Sequence, residues 1–155
     1  MAVASTYIKS IRMINVIIVN PISEPMKDQL EKSPDILVTV IHPSTLDNVI
    51  EQVGEQHPDI FIITQESEAI NSEILCHFLS NHYLAAQSLI LINEQPTFEM
   101  LKNSGFKARG YIVKEQRNMI DKAIRAVHAG EAWLPRILVA EMLNRFECQV
   151  HPTRD

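Results

Sequence analysis

Five short apolar runs constrain what this chain can fold into. Each contains three or four consecutive apolar residues, many of them β-branched. An unbroken apolar run indicates a strand covered on both faces, as in parallel sheets, because a half-exposed strand alternates apolar with polar residues. The runs are INVIIVN (14–20), ILVTVIH (36–42), DIFIIT (59–64), SLILIN (88–93) and GYIVK (110–114).

Segments of helical periodicity separate the runs. In three of them apolar side chains recur at i, i+3, i+4 and i+7. A short helix is also expected near Pro25, since proline is tolerated in a first turn, and a last helix is expected in 131–147. Strands that alternate with helices predict an α/β fold with helices on both faces of a parallel sheet. The predicted buried faces are Leu46, Val49, Ile50 and Val53, with Ser44 or Thr45 as cap; Ile74, Leu75, Phe78 and Leu79; and Met119, Ile120, Ala123, Ile124 and Val127.

Composition excludes several classes of site. The two cysteines, Cys76 and Cys148, are far apart and form no CxxC motif, which argues against a disulfide framework. The six histidines are scattered, so no metal site is predicted. With only four glycines the chain has no phosphate-binding loop, and no enzyme signature is found. We therefore predict no enzymatic activity, no cofactor and no metal.

The cellular compartment is predicted from the absence of a secretory signal and of a membrane-spanning segment. The opening MAVASTYIKSIRM has no long apolar core followed by a cleavage site, which argues against a secretory signal. No apolar stretch approaches the roughly 20 residues that span a bilayer. These features predict a cytoplasmic protein without a membrane partner.

Charge is distributed unevenly around the net value of −5. Residues 1–100 hold four basic and thirteen acidic side chains, whereas residues 101–155 hold ten basic and six acidic ones. An acidic body argues against broad nucleic-acid binding, which depends on phosphate contacts. The basic C-terminal part either faces an acidic patch of a second copy or is a solvated surface without a partner.

The stretch GYIVKEQRNMIDKAIRAVHAGEAWLPRILVAEML, residues 110–143, carries the most specific resemblance. It resembles the fifth strand, fifth helix and exit segment of receiver domains from LuxR/NarL-type two-component response regulators. The GY-hydrophobic-hydrophobic-K motif and the run AIRAVHAGEAWL carry this likeness. The resemblance extends over residues 13–146. In the first half of this range it rests on the order of the strands and helices and on the residues at the strand ends. It implies a CheY-like (flavodoxin-like) doubly wound five-stranded parallel sheet, of order 2-1-3-4-5, with an extra C-terminal helix.

The resemblance also divides the chain. It implies an N-terminal extension (1–12), a receiver-like domain (13–130), a C-terminal helix (131–147) and a linker or tail (148–155). In the family such a tail leads to a helix-turn-helix domain, which this chain does not contain. The last residues, HPTRD, weakly resemble the sequence with which such domains begin.

The positions that carry phosphoryl transfer in the family are altered here. In the family an acidic pair after the first strand holds Mg²⁺, and an Asp ending the third strand accepts the phosphoryl group. A Ser or Thr after the fourth strand and a Lys after the fifth contact that group. Here these positions hold Asn20 and Pro21, Thr64, Asn93 and Lys114, of which only the lysine matches.

These changes predict a degenerate receiver, or pseudo-receiver. Proline and asparagine provide no carboxylate for a hard cation, and a threonine without a neighbouring base is a poor nucleophile. Lys114 either binds an anion in the old pocket or pairs with Glu66, Glu94, Glu115 or a carbonyl; we favour the second. Tyr111, which is often a switch residue in the family, is expected to be a fixed surface or interface aromatic.

Three functional hypotheses remain open. The first is a module of a transcription regulator that acts without aspartyl phosphorylation, as a homodimer, with DNA reached only through a missing helix-turn-helix domain. The second is a stand-alone adaptor for a histidine kinase or another regulator. The third is a phosphoswitch on Thr64 or Glu66. By family analogy the interface surrounds Lys102, Lys107, Arg109, Tyr111, Lys122 and Arg125.

Overall fold

The computed structural model describes residues 13–65 and 70–150, the last three of them as backbone. The predicted extension 1–12, Glu66 and the tail residues 151–155 lie outside the described residues. The strands are β1 (Ile14–Val19), β2 (Ile36–Ile41), β3 (Ile60–Thr64), β4 (Gln87–Leu91) and β5 (Ala108–Ile112). The helices are α1 (Glu24–Glu31), α2 (Leu46–Val53), α3 (Ser72–His82), α4 (Phe98–Asn103), α5 (Ile120–His128) and α6 (Arg136–Val150), with a 3₁₀ helix over Lys114–Met119.

The five strands form one parallel sheet of order β2-β1-β3-β4-β5, as predicted. β1 pairs with β2 from Ile14↔Ile36 to Val19↔Ile41, and with β3 from Val16↔Ile60 to Val19↔Ile63. Because all strands run the same way, their carboxyl ends lie along one edge of the sheet. The loops that follow β1, β3, β4 and β5 therefore meet at that edge.

Two apolar layers cover the sheet. One contains Ile17, Val19, Phe61 and Ile63 with side chains of α2, α3 and α4, and the other contains Val16, Ile18, Ile60 and Ile62 with side chains of α1 and α5. All four residues of β3 before Thr64 are at most 1% exposed. This burial on both faces explains the apolar runs of the central strands, whereas the edge strand β2 is only partly covered and its Leu37 is 55% exposed.

The helices largely follow the predicted patterns. The cap of α2 is Thr45, whose Oγ1 accepts from the backbone N–H of Asn48 at 3.1 Å. Helix α1 is short and has Pro25 in its first turn, as expected. The apolar residues of α5 are buried, and Lys122 lies on its exposed side.

The predicted face of α3 is partly wrong. Ile74 is 56% exposed, whereas Glu73 is buried at 7% together with Leu75, Cys76 and Leu79. Apolar residues occur on more than one side of this helix, so periodicity alone did not determine which side faces the sheet. Ile50 of α2 is similarly exposed, at 37%.

The segment before α6 pairs with β5 instead of being helical. Trp133 N–H donates to the carbonyl of Arg109 at 3.1 Å, and Tyr111 N–H donates to the carbonyl of Trp133 at 2.9 Å. Gly110 permits this approach, since a Cβ there would lie 2.6 Å from the Trp133 carbonyl oxygen. The last helix therefore begins at Arg136 rather than 131, directly after Pro135, and continues to Val150.

Leu138 anchors α6 on the body of the domain. Its side chain is 0% exposed and belongs to the same apolar layer as α3 and α4, whereas the neighbouring Ile137 is 75% exposed. Among the described residues no helix is both long and apolar enough to cross a membrane.

These two neighbours give a matched pair of substitutions. We expect Leu138→Ala to lower the free energy of unfolding by about 2–5 kcal/mol, because a buried leucine is replaced by a cavity. Ile137→Ala, the control, is expected to change it by less than about 0.5 kcal/mol. Urea denaturation measures both. Equal effects of the two substitutions would contradict the docking of α6 through Leu138.

Candidate functional site

A cavity of about 220 Å³ lies at the carboxyl ends of the strands. The loop after β1, the ends of β3 and β4 and the 3₁₀ helix after β5 surround it. Of the five predicted pocket residues, Pro21 and Thr64 line this cavity. The full lining is Pro21, Ile22, Ser23, Met26, Thr64, Gln65, Leu91 and Arg117.

Thr64 ends β3, at the position predicted to correspond to a phosphoacceptor. It is 9% exposed, and its Oγ1 donates to the backbone carbonyl of Val19 at 3.4 Å. A carbonyl oxygen is not a base that could take up the hydroxyl proton during an attack. In this arrangement Thr64 is a poor nucleophile.

The loop after β1 provides no carboxylate. Asn20 adopts φ 73°, a left-handed conformation that asparagine tolerates better than most residues, and its N–H donates to the Ile41 carbonyl at 2.9 Å. Pro21 follows and is exposed. Asp59 lies at the opposite end of β3, where its Oδ2 accepts from the backbone N–H of Asn15 at 2.9 Å. It cannot replace the missing acids.

The remaining two predicted pocket residues lie at the margin. Asn93 is exposed, and its Oδ1 accepts from Arg117 Nη2 at 2.9 Å. Lys114 is exposed at the start of the 3₁₀ helix and does not line the cavity. The expected pairing of Lys114 with Glu94 or Glu115 does not occur, since neither carboxylate lies within 4.0 Å of its ammonium group; Glu66 lies outside the described residues.

Sequence reasoning missed Arg117. The 3₁₀ helix turns the chain so that Arg117, three residues after Lys114, carries its guanidinium to the cavity wall. Nη2 also donates to the carbonyl of Ile92 at 3.2 Å. No motif marks this arginine, because its placement depends on a turn that follows the motif.

The chemistry available at the strand ends differs from that of a phosphoryl-transfer site. The described cavity lining has hydroxyls, an amide and a guanidinium, but no carboxylate. Mg²⁺ requires oxygen ligands and usually at least one carboxylate. Within 13–65 and 70–147, no group of three or more His, Cys, Asp or Glu residues is arranged to hold a metal.

Three of the six predicted interface residues make internal contacts. Arg109 donates to the carbonyls of Gly130 and Glu131. Arg125 forms ion pairs with Asp35 at 2.9 Å and Asp121 at 3.0 Å, and its hydrogen bond lowers the pKa of Asp35. The expected surface position of Tyr111 is wrong: this residue is 0% exposed.

The other three, Lys102, Lys107 and Lys122, are exposed. Lys102 lies on α4 and Lys107 follows it, whereas Lys122 lies on α5, and these helices pack on opposite sides of the edge strand β5. Arg125 also points away from β5, since its partner Asp35 precedes β2 at the opposite edge of the sheet. The fully exposed part of the predicted interface therefore consists of Lys102, Lys107 and Lys122.

Tyr111 belongs to a buried polar cluster between α3 and the sheet. Its hydroxyl and Glu73 Oε1 have no hydrogen-bond partner, and Glu73 Oε2 accepts from Ser72 Oγ at 2.9 Å. Burial, and then the charge of Glu73, raise the pKa of Tyr111. Burial likewise raises the pKa of Cys76 to about 12, so neither group ionises near neutral pH.

Comparisons with known proteins identify the fold. No protein-family profile and no curated protein sequence matches the chain. The isolated receiver (REC) domain of RcsB from Salmonella enterica serovar Typhimurium matches with a TM-score of 0.67 at 16% identity, over 84% of this chain and 98% of that one. A LuxR-family two-component response regulator from Aurantimonas sp. SI85-9A1 matches with a TM-score of 0.69 at 19% identity, over 86% and 97%.

A further match is a structure of two RcsB dimers bound to two parallel DNAs, with a TM-score of 0.65 at 15% identity. It covers 88% of this chain and 70% of that one. At such identities the likeness shows the fold alone. The chain therefore has the fold of a response-regulator receiver domain, as the resemblance implied.

The hydroxyl of Tyr111 gives a test of the buried cluster. We expect Tyr111→Phe to leave the free energy of unfolding unchanged or to raise it by about 1 kcal/mol, because a buried hydroxyl without a partner is removed. Tyr111→Ala, which removes the ring as well, is expected to cost about 3–5 kcal/mol. Both are measured by urea denaturation. A loss above about 1 kcal/mol for Tyr111→Phe would show that the hydroxyl is bonded in solution.

Proposed function

We propose that this chain is a receiver-type module of cytoplasmic signal transduction that controls transcription without aspartyl phosphorylation. One observation carries the proposal: the cavity at the strand ends is lined by Pro21 and Thr64 where a phosphoryl-transfer site needs carboxylates. The module is non-enzymatic. It acts through protein contacts, as a homodimer, and reaches DNA only through a separate helix-turn-helix domain.

The energetics of phosphoryl transfer support this reading. In such reactions bound metal ions neutralise the charge that spreads over the transferring group. At Asn20 and Pro21 a divalent cation finds no carboxylate ligand, and without an acid at Thr64 there is no acceptor. The fold is kept while the parts that perform this chemistry are replaced.

A surface formed by α4 and α6 supports dimerisation. Phe106 and Phe146 are 46% and 40% exposed, and their ring centroids lie 6.3 Å apart. Phe106 also contacts Phe98 at 5.7 Å, and Leu143 is 63% exposed on α6. Exposed aromatic residues that cluster in this way mark protein interaction sites. We call the exposed Phe106, Leu143 and Phe146, together with the buried Phe98 that Phe106 contacts, the aromatic patch.

Backbone strain and charge add to the case for this surface. Phe106 adopts φ 60°, which is uncommon for a bulky residue and is kept mainly where a special conformation is useful. The exposed Lys102 and Lys107 are close to it in the chain, so two of the predicted interface residues remain candidates. A second copy would cover the aromatic patch, with the lysines at its rim.

Light scattering coupled to gel filtration tests the proposal on residues 1–155. We expect a dimer at protein concentrations of tens of micromolar, and we expect its mass to be unchanged by Mg²⁺ with beryllofluoride, a mimic of the phosphoryl group. The double substitution Phe106→Ser with Phe146→Ser is expected to give a monomer. The control Leu84→Ser, at a residue that is 85% exposed outside the aromatic patch, is expected to leave the dimer intact.

Two outcomes would contradict the proposal. A dimer that forms only with beryllofluoride and Mg²⁺ would show that the pocket still responds to a phosphoryl mimic, as in a phosphoswitch on Thr64 or Glu66. A monomer under all conditions would remove the homodimer and leave the adaptor, which binds a histidine kinase or another regulator, as the better account.

A further inference from the structure

Arg117 lies at the wall of the cavity and has no acidic partner among the described residues. Its residue is half-buried, and Nη2 donates to the Ile92 carbonyl and to Asn93 Oδ1. Nε is removed from solvent and has no hydrogen-bond acceptor. Within the described part of the chain, no carboxylate lies within 4.0 Å of this guanidinium.

The buried Nε without an acceptor sets Arg117 apart from the other described arginines, of which Arg109 likewise has no acidic partner. Arg125 has two aspartates as partners, and Arg145 pairs with Glu141 at 3.2 Å. A buried N–H without an acceptor costs about 1–3 kcal/mol, and more on a charged group. An anion in the cavity accepts instead from Nη1, which has no acceptor among the described residues and is not removed from solvent.

The rest of the cavity combines polar and apolar walls. Thr64 and Ser23 contribute hydroxyls, and Ser23 precedes α1 without making a side-chain capping bond. The apolar side is formed by Ile22, Met26 and Leu91. A volume of about 220 Å³ holds several water-sized molecules, which fits a compact ligand with one charged end and one apolar end.

We propose that this cavity binds a small organic carboxylate with a chain of about four carbons, the size that such a volume accommodates. Its carboxylate accepts hydrogen bonds from Nη1 of Arg117, and its carbon chain packs on Ile22, Met26 and Leu91. The site uses Arg117 rather than Lys114, and binding is non-covalent. The inference goes beyond the proposed function and does not depend on dimerisation.

The experiment follows the Arg117 Nε–H resonance in ¹H–¹⁵N spectra of the full chain. Butyrate is the probe, and butyramide, which has the same carbon chain without the charge, is the matched control ligand. We expect a saturable shift of the Arg117 Nε–H and of the Thr64 and Gln65 amides with butyrate. Butyramide is expected to bind at least about tenfold more weakly, because it lacks the charge-assisted hydrogen bond.

Substitutions separate the two candidate cations. In Arg117→Gln we expect the dissociation constant for butyrate, followed at the Thr64 and Gln65 amides, to rise at least about tenfold. Arg117→Lys keeps the charge but loses Nη1 and is expected to weaken binding to an intermediate degree. Lys114→Gln, the control, is expected to bind butyrate as the native chain does. Thermal unfolding of each variant establishes that it is folded.

Several results would overturn the inference. Butyrate that produces no shift, or no larger shift than butyramide, would exclude an anion site in the cavity. Equal binding by Arg117→Gln, or a loss in Lys114→Gln, would assign the anion to another residue. Inorganic phosphate that binds more tightly than butyrate would replace the organic carboxylate with an inorganic anion. None of these results bears on whether the chain dimerises.

Discussion

The pairing of β1 with β3 in the centre of the sheet is the contact on which the rest of the structure depends. From Val16↔Ile60 to Val19↔Ile63 the paired residues are at most 1% exposed, so both strands require helices on both faces. Because the pairing is parallel, Asn20 and Thr64 follow at the same edge of the sheet. The cavity lies at this edge, and its chemistry depends on the side chains at the ends of these two strands.

Much of the fold could be predicted from local pattern. The apolar runs placed all five strands to within about two residues; double coverage explains this for the central strands, but β2 lies at an edge and is only partly covered. The face of α5 was predicted because Lys122 and Arg125 mark its polar side. The face of α3 was not predicted correctly, because the apolar pattern favours burial of Ile74 whereas the structure buries Glu73. The strand order came from the resemblance, because apolar runs specify burial and not neighbours.

The candidate site was predictable where it depends on residue type and unpredictable where it depends on geometry. Asn20, Pro21 and Thr64 reveal in the sequence that carboxylates are missing from the strand ends. The position of Arg117 depends on a 3₁₀ turn after the recognisable motif, and the burial of Tyr111 depends on how β5 and the Trp133 segment pack. Long-range packing of this kind leaves no local signal in the sequence.

The central claim is that the strand ends hold no cation site because their carboxylates are missing. Titration of the ¹⁵N-labelled chain with MgCl₂ tests this most directly, with a variant carrying Asn20→Asp, Pro21→Asp and Thr64→Asp as the positive control. We predict that the amides of Val19, Asn20, Thr64 and Gln65 stay unshifted in the native chain up to about 10 mM Mg²⁺, while those of the variant shift saturably. Saturable shifts of these amides in the native chain would contradict the account.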